Sequence, residues 1–361
     1  MPTRRYLLLA TLLYVVLTAV MTYPQVRHMR DGVSDVGDPL LNTWAMAWVA
    51  HQLPFSPAHV FDGNIFFPER RTLAYSETLL VPALMGAPLL YAGAGPVLVY
   101  NLLMFASFVF TGVGMALLVR ELTGSTLAGL ACGAMAAFLP YRFDHYSHFQ
   151  LLQMQWVPFA LWALHRLLDD GRMRFGVALG VFVGAQGLTS MYNAIFLGTF
   201  LAVVGGVLLA MDLARAKARW KPLLASVAIA GALMAPVVIV HARARAVVGE
   251  RARSDAEVGS AQWKHFLAAS PHNYVHGARS RRLGEPERRL FPGLVALLLA
   301  VVGLWPPWTR TRAAYALGLL ASVDIARGFN GWLYGWLFDY VLPFRSLRVP
   351  ARMGMMVSLA I

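Results

Sequence analysis

Ten apolar runs follow one another along this chain: 6–23, 97–119, 124–140, 151–168, 173–190, 191–211, 221–241, 290–306, 311–324 and one beginning near 351. A helix crosses the hydrocarbon of a bilayer with about 20 apolar residues, and a helix leaves no backbone group unpaired there. At 361 residues, 58% hydrophobic and 14% charged, the chain carries more apolar side chain than one soluble core can bury. The expectation is an all-α polytopic membrane protein, a single transmembrane domain over 1–361 with about ten transmembrane helices. The last run stops about half a span beyond Arg352, so the chain is expected to be a piece of something longer.

Residues 1–24 have a basic start and an apolar stretch that also fits a signal peptide. No small-x-small cleavage site follows, so the stretch reads as a signal anchor and first span. Cys132 is the one cysteine and sits in an apolar run, which makes it a small core residue and excludes an intramolecular disulfide. The net charge of +13 is spread over many loops as arginine, which points to anionic lipid or lipid phosphate and not to nucleic acid. Only three of the 31 basic residues are lysine, a composition of GC-rich bacterial genomes. The expected location is the bacterial cytoplasmic membrane.

A further apolar run, 79–95, is interrupted by Pro82, Pro88 and its glycines and reads as a re-entrant or interfacial hairpin. With that run not crossing, Arg4, Arg5, Arg120 and the basic turns "HRLLDDGRMR", "RAKARWK" and "TRTR" all fall on the cytoplasmic side, with the N-terminus. That arrangement obeys the positive-inside bias of short loops. The segment 242–289 resists it, because it would lie outside with nine arginines. Every polar-rich connection then gathers on one face: the first extracytoplasmic loop 25–78, "YRFDHYSHFQ", "TSMYN", the long extracytoplasmic loop 242–289 and "LPFRSLRVPAR". A site is expected there.

In the first loop Asp38 precedes Pro39, and aspartate at the N-cap with proline at the first helical position is a strong helix start. Leu40, Leu41, Trp44, Ala47, Trp48 and His51 recur on one face, the pattern of an interfacial helix with tryptophans at headgroup level. Asp38 is either a helix cap alone or a working carboxylate, and Asp35 is either a solvated loop carboxylate or a working one. One carboxylate of the pair can serve as general base toward a hydroxyl, its proton affinity tuned by the other. Alternatively the pair holds a divalent cation through oxygen ligands. Further on, Glu69, Arg70, Arg71 and Glu77 precede the apolar hairpin, and the arginines suit either a phosphate or lipid headgroups.

His145 and His148 stand i, i+3 if helical, with Asp144 beside them and Gln150 and Gln153 following. No third metal ligand is near, so hydrogen bonding to a sugar or phosphate is the better use of them. The sequence contains no phosphate loop, dinucleotide-binding glycine pattern, nucleophile elbow or zinc-protease motif.

The stretches "SDVGDPLLNTW", "NIFFPERRTLAYSETLLVPALMGAPL", "HYSHFQLLQMQWVPFAL", "GLTSMYNAIF" and "LPFRSLRVPARMGM" resemble the GT-C superfamily of polyprenyl-phosphate-dependent membrane glycosyltransferases, in particular its YfhO-like bacterial group. The resemblance covers nearly the whole chain through short motifs. It implies a GT-C-like bundle that moves a sugar from a polyprenyl-phosphate donor to an extracytoplasmic acceptor. It also implies that an acid of the first external loop, Asp35 or Asp38, is base or metal ligand. Cations must meet the departing phosphate, and Arg70, Arg71, Arg345 and Arg348 are the candidates. The two acids here are separated by two residues, where the commonest pattern has one. The rival expectation is a transporter or flippase for a lipid-linked or anionic substrate, whose mark would be broken helices or charges at mid-membrane.

Overall fold

The computed structural model describes residues 2–249, 252–280 and 282–361, and among them every regular element is helical. Among the described residues four helices are long and apolar enough to cross a membrane: Thr3–Met21, Pro96–Thr123, Met191–Ala210 and Trp220–Val248. The other expected spans are shorter helices, among them Thr126–Ala137, Trp156–Asp170, Met173–Thr189, Leu294–Gly303 and Arg310–Ala326. In the interrupted run 79–95 the helix is Leu80–Tyr91, 12 residues and roughly 18 Å long. Cα packing divides the chain into two compact units, one of 1–137, 146–194 and 221–249, the other of 138–145, 195–220 and 250–361.

The first unit is built on small residues that admit large ones. Tyr6, Ala10 and Tyr14 recur at helical spacing along Thr3–Met21 and are fully buried. Tyr6 donates to the carbonyl of Ala116 and Tyr14 to that of Leu130, both at 3.0 Å. Gly129 and Gly133 lie under the two phenols, and a methyl at either would overlap the tyrosine hydroxyl. A second seam pairs Met173–Thr189 with Trp220–Val248: Gly176, Gly180, Gly184 and Gly187 face Pro222, Ser226, Leu233 and Met234. Small residues three and four apart let two helices approach closely enough for dispersion and packing to hold them in lipid, where no hydrophobic effect drives them together.

The expected span 151–168 is divided. Phe149–Leu152 is a short helix of its own, and a continuous helix begins only at Trp156. Buried amides explain how the break is tolerated. Gln186 donates to the freed carbonyl of Gln153 at 2.9 Å, Gln153 donates to the carbonyl of Leu103 at 3.2 Å, and Gln155 donates to the Gln153 side chain. Side chains that take up the freed backbone groups are what permit an interrupted helix in an apolar setting.

In the second unit, Tyr334 is fully buried among Phe329, Phe338 and Phe344 and donates to the carbonyl of Leu347. Asp324 accepts from the N–H groups of Trp332 and Leu333 at 3.0 and 2.8 Å, which satisfies two donors at the start of helix Leu333–Tyr340. Gly318 lets helix Arg310–Ala326 close on Phe200. Helix Trp220–Val248 runs seven residues into the expected 242–289 loop, and the described remainder of that loop carries short turns of helix.

Candidate functional site

Three polar stretches flagged in the sequence meet inside the first unit. Ser34 lies 3.4 Å from Ser147, Asn42 donates to the Gln150 side chain at 3.2 Å, and Asn193 donates to the backbone carbonyls of Gln150 and Leu151. The first loop, "HYSHFQ" from Tyr146 onward and "TSMYN" therefore form one assembly. Asn101, fully buried, ties down the start of the loop by donating to the carbonyls of Met29 and Gly32. Sequence reading passed over Asn101 because a lone amide inside an apolar run shows nothing of its partners.

The two aspartates make different contacts. Asp35 accepts the N–H of Gly37 at 2.8 Å, closing the turn two residues on that aspartate favours. Gly37 is the N-cap, and helix Asp38–Phe55 begins with Asp38 itself, whose side chain makes no capping bond. The Asp38 carboxylate instead stands 3.5 Å from Nε2 of His148, with both side chains partly open to solvent. With Gly37 as the N-cap, Asp38 is the first residue inside the helix, one position past the cap.

The helix faces are also resolved. Asn42, Thr43, Ala45, Met46, Val49 and Ala50 are buried, while Leu40, Leu41 and His51 face outward. Full burial of Met46 and Val49 contributes about 1.5–3 kcal/mol each. Trp44 and Trp48 stack on each other and are half-covered by the loop that follows, donating to Asn64 at 3.0 Å and to the Val60 carbonyl at 2.9 Å. Beside them lies an apolar cavity of about 260 Å³ whose walls include Leu41, Asn42, Trp44, Phe66, Tyr75 and Glu77.

Glu77 is held by the start of helix Met191–Ala210. It accepts from the N–H groups of Met191 and Tyr192 at 2.8 and 3.3 Å, and from the Ser190 hydroxyl at 3.4 Å. A carboxylate at a helix N-terminus satisfies orphan donors and meets the positive end of the dipole. Glu69 and Arg70 are exposed. Arg71 has left-handed backbone, φ 59°, and its N–H is taken by Asp62 at 2.8 Å.

His145 and His148 do not share a helical face, because residues 145–147 form a turn between short helices. Each histidine meets its own carboxylate, His148 with Asp38 in the first unit and His145 with Glu287 in the second. Both ring nitrogens of His145 face oxygen: Nδ1 the Tyr141 carbonyl at 3.0 Å, and Nε2 Glu287 at 3.2 Å. Arg352, almost wholly buried, grips the same carboxylate with Nε and Nη2. Burial opposes the charge on Glu287, but the hydrogen bonds from His145 and Arg352 outweigh it and hold the carboxyl well below its usual range. Neighbouring Asp144 pairs with Arg289 at 3.0 Å, and there burial prevails and pushes the carboxyl up. Glu287 and Arg352 were missed in the sequence; the only signal was an acid set among the arginines of "GEPERRL".

Arg345 donates to the carbonyls of Phe338 and Asp339 at 3.1 and 2.7 Å, at the end of helix Leu333–Tyr340, and Arg348 is exposed. Among the described residues no three His, Cys, Asp or Glu side chains converge as metal ligands. Compared with protein-family models, curated proteins and solved structures, the chain matches none of them.

Proposed function

We propose that this chain is a multi-pass membrane glycosyltransferase that moves a sugar from a polyprenyl-phosphate donor to an acceptor hydroxyl on the extracytoplasmic side. The observation that carries the reading is the Asp38–His148 pair at the meeting of three polar stretches. A lipid phosphate is already a competent leaving group, so the protein must chiefly deprotonate the acceptor and orient it. Asp38 is the base in this reading. His148 positions its carboxylate, and the aromatic cavity beside Asn42 and Trp44 gives a sugar ring or the first isoprenoid carbons an apolar wall. Asp35 shapes the turn that aims Asp38. The shorter apolar helices complete about ten crossings of a bacterial cytoplasmic membrane with the N-terminus inside, and Arg70 and Arg71, in the same unit as Asp38, are the cations proposed for a departing phosphate.

One observation favours a second reading. The interruption at Gln153–Gln155, with buried Gln186 against it, is a broken helix of the kind that transporters and flippases build their substrate sites from.

The deciding experiment offers a panel of polyprenyl-phosphate sugars to the protein in its native membranes, comparing wild type, Asp35→Asn, Asp38→Asn and His148→Gln at equal abundance. Donor turnover that collapses in Asp38→Asn supports the transferase. Absence of donor consumption in wild type, together with movement of the intact lipid-linked sugar across vesicles, supports the flippase.

A further inference from the structure

Residues between Gln262 and His265 and between Arg282 and Arg289 line a cavity of about 320 Å³ within the second unit. Lys264, His265, Arg282, Glu285, Arg288 and Arg289 are among the residues that line it. Two of the four cations are balanced: Arg288 by Glu285 at 3.4 Å, and Arg289 by Asp144 at 3.0 Å. Both are also fixed in place through backbone carbonyls, Arg288 by Val258 at 3.2 Å and Arg289 by Gly284 at 3.3 Å. Lys264 and Arg282 are exposed and meet no carboxylate among the described residues. The wall therefore combines two anchored guanidinium groups with two unbalanced cations.

His265 lies in the same wall. Its Nδ1 accepts the N–H of Gln262 at 2.9 Å, which requires an unprotonated nitrogen there. Burial, then Arg288 and Lys264, push its pKa down to about 4. Concentrated positive charge in a concave site raises the local concentration of anions, and the guanidinium fork matches phosphate oxygens in pairs. The volume lies at the small end of the roughly 300–1,000 Å³ of ligand pockets, which suits a phosphate or pyrophosphate group and not a bulky ligand.

We propose that this cavity binds an anion of the phosphate class, either a soluble phosphate or pyrophosphate or the phosphate of a lipid headgroup. The inference stands independently of the transferase reading. It accounts for arginines that the positive-inside bias would otherwise keep out of this segment.

The test is calorimetry with pyrophosphate and inorganic phosphate on the full chain in phosphatidylcholine nanodiscs. Wild type is expected to bind at least one of them saturably, with affinity falling as salt rises. The exposed double variant Lys264→Gln with Arg282→Gln should bind at least tenfold more weakly at an unchanged unfolding temperature, while Lys264→Arg keeps the affinity. Repeating the titration in phosphatidylglycerol nanodiscs separates the sources: weaker apparent binding there identifies the lipid headgroup as occupant, and unchanged binding identifies a soluble anion. Absence of saturable binding in phosphatidylcholine, or equal affinity in the double variant, overturns the proposal.

Discussion

The carboxylate of Asp38 lies 3.5 Å from Nε2 of His148, and the two residues belong to stretches far apart in the chain that Asn42 and Gln150 also join. The pair has a consequence for rate. Removing a general base typically costs about 10²–10⁴-fold. Asp38→Asn is expected to lower the maximal rate of donor turnover by that order with little change in apparent donor affinity. His148→Gln should cost less than Asp38→Asn, read from initial rates at a fixed pH. A Asp38→Asn variant with wild-type rate would remove Asp38 from the chemistry.

The contact of Tyr14 with Gly133 predicts a stability effect that its own partner relieves. Gly133→Ala places a methyl on the Tyr14 hydroxyl, and overpacking of this kind costs about 1–3 kcal/mol. Tyr14→Phe removes the hydroxyl together with its bond to Leu130, costing about 1 kcal/mol alone. The double variant should be more stable than the sum of the singles, by thermal unfolding in detergent. Strict additivity would mean that the two residues do not meet.

Glu287 joins His145 and Arg352, so breaking it strands a buried guanidinium and leaves Nε2 of His145 without its oxygen partner. Glu287→Gln is expected to destabilise by about 3 kcal/mol, the range found when one member of a buried ion pair is removed. The pH dependence has a definite sign. The folded carboxyl titrates below its unfolded value of about 4.3, so its contribution is fully present above that pH and is lost as pH falls below it. Unfolding midpoints from pH 7 down to 3 should drop more steeply in wild type than in Glu287→Gln.

His265 gives a second acid-sensitive element at a higher pH. Its folded pKa of about 4 lies below the ordinary 6.5, because of burial and then Arg288 and Lys264. The neutral ring therefore adds stability that is complete above about pH 6.5 and lost as pH falls through 4. Among the histidine resonances followed by NMR, a ring still neutral at pH 5 should vanish in His265→Gln.

The interrupted helix yields the last expectation. Gln186→Leu leaves the carbonyl of Gln153 without its 2.9 Å donor, and an unsatisfied buried acceptor costs about 1–3 kcal/mol. Gln186→Glu should do worse, since it adds an acceptor where a donor is needed. Equal unfolding temperatures for wild type and Gln186→Leu would show the carbonyl to be otherwise satisfied.

Much of the helix order was legible, because apolar run length and punctuation by proline and glycine are local properties. The start of the helix near Asp38 followed from Asp-Pro, and the placement of Leu40 and Leu41 together on one exposed face followed from spacing. The role of Asp38 did not, since a capping aspartate and one step inside the helix differ by a single residue in sequence. The side chain points to different neighbours in the two cases. The run 151–168 looked continuous because hydropathy averages over Gln153 and Gln155, whereas the backbone responds to where Gln186 can reach.

By itself the sequence determined that this chain is helical and rich in lengths suited to a membrane, because backbone polar groups in apolar surroundings must bond within their own segment. It also marked the acids, histidines and amides as polar points that an apolar chain has reason to keep. Only the tertiary structure decided who meets whom. Asp38 faces His148, Glu77 holds the helix at Met191, and Glu287 is gripped by His145 and Arg352. Those pairings depend on how helices pack against one another, and packing is set by the shapes of side chains distant in sequence, which no local pattern records.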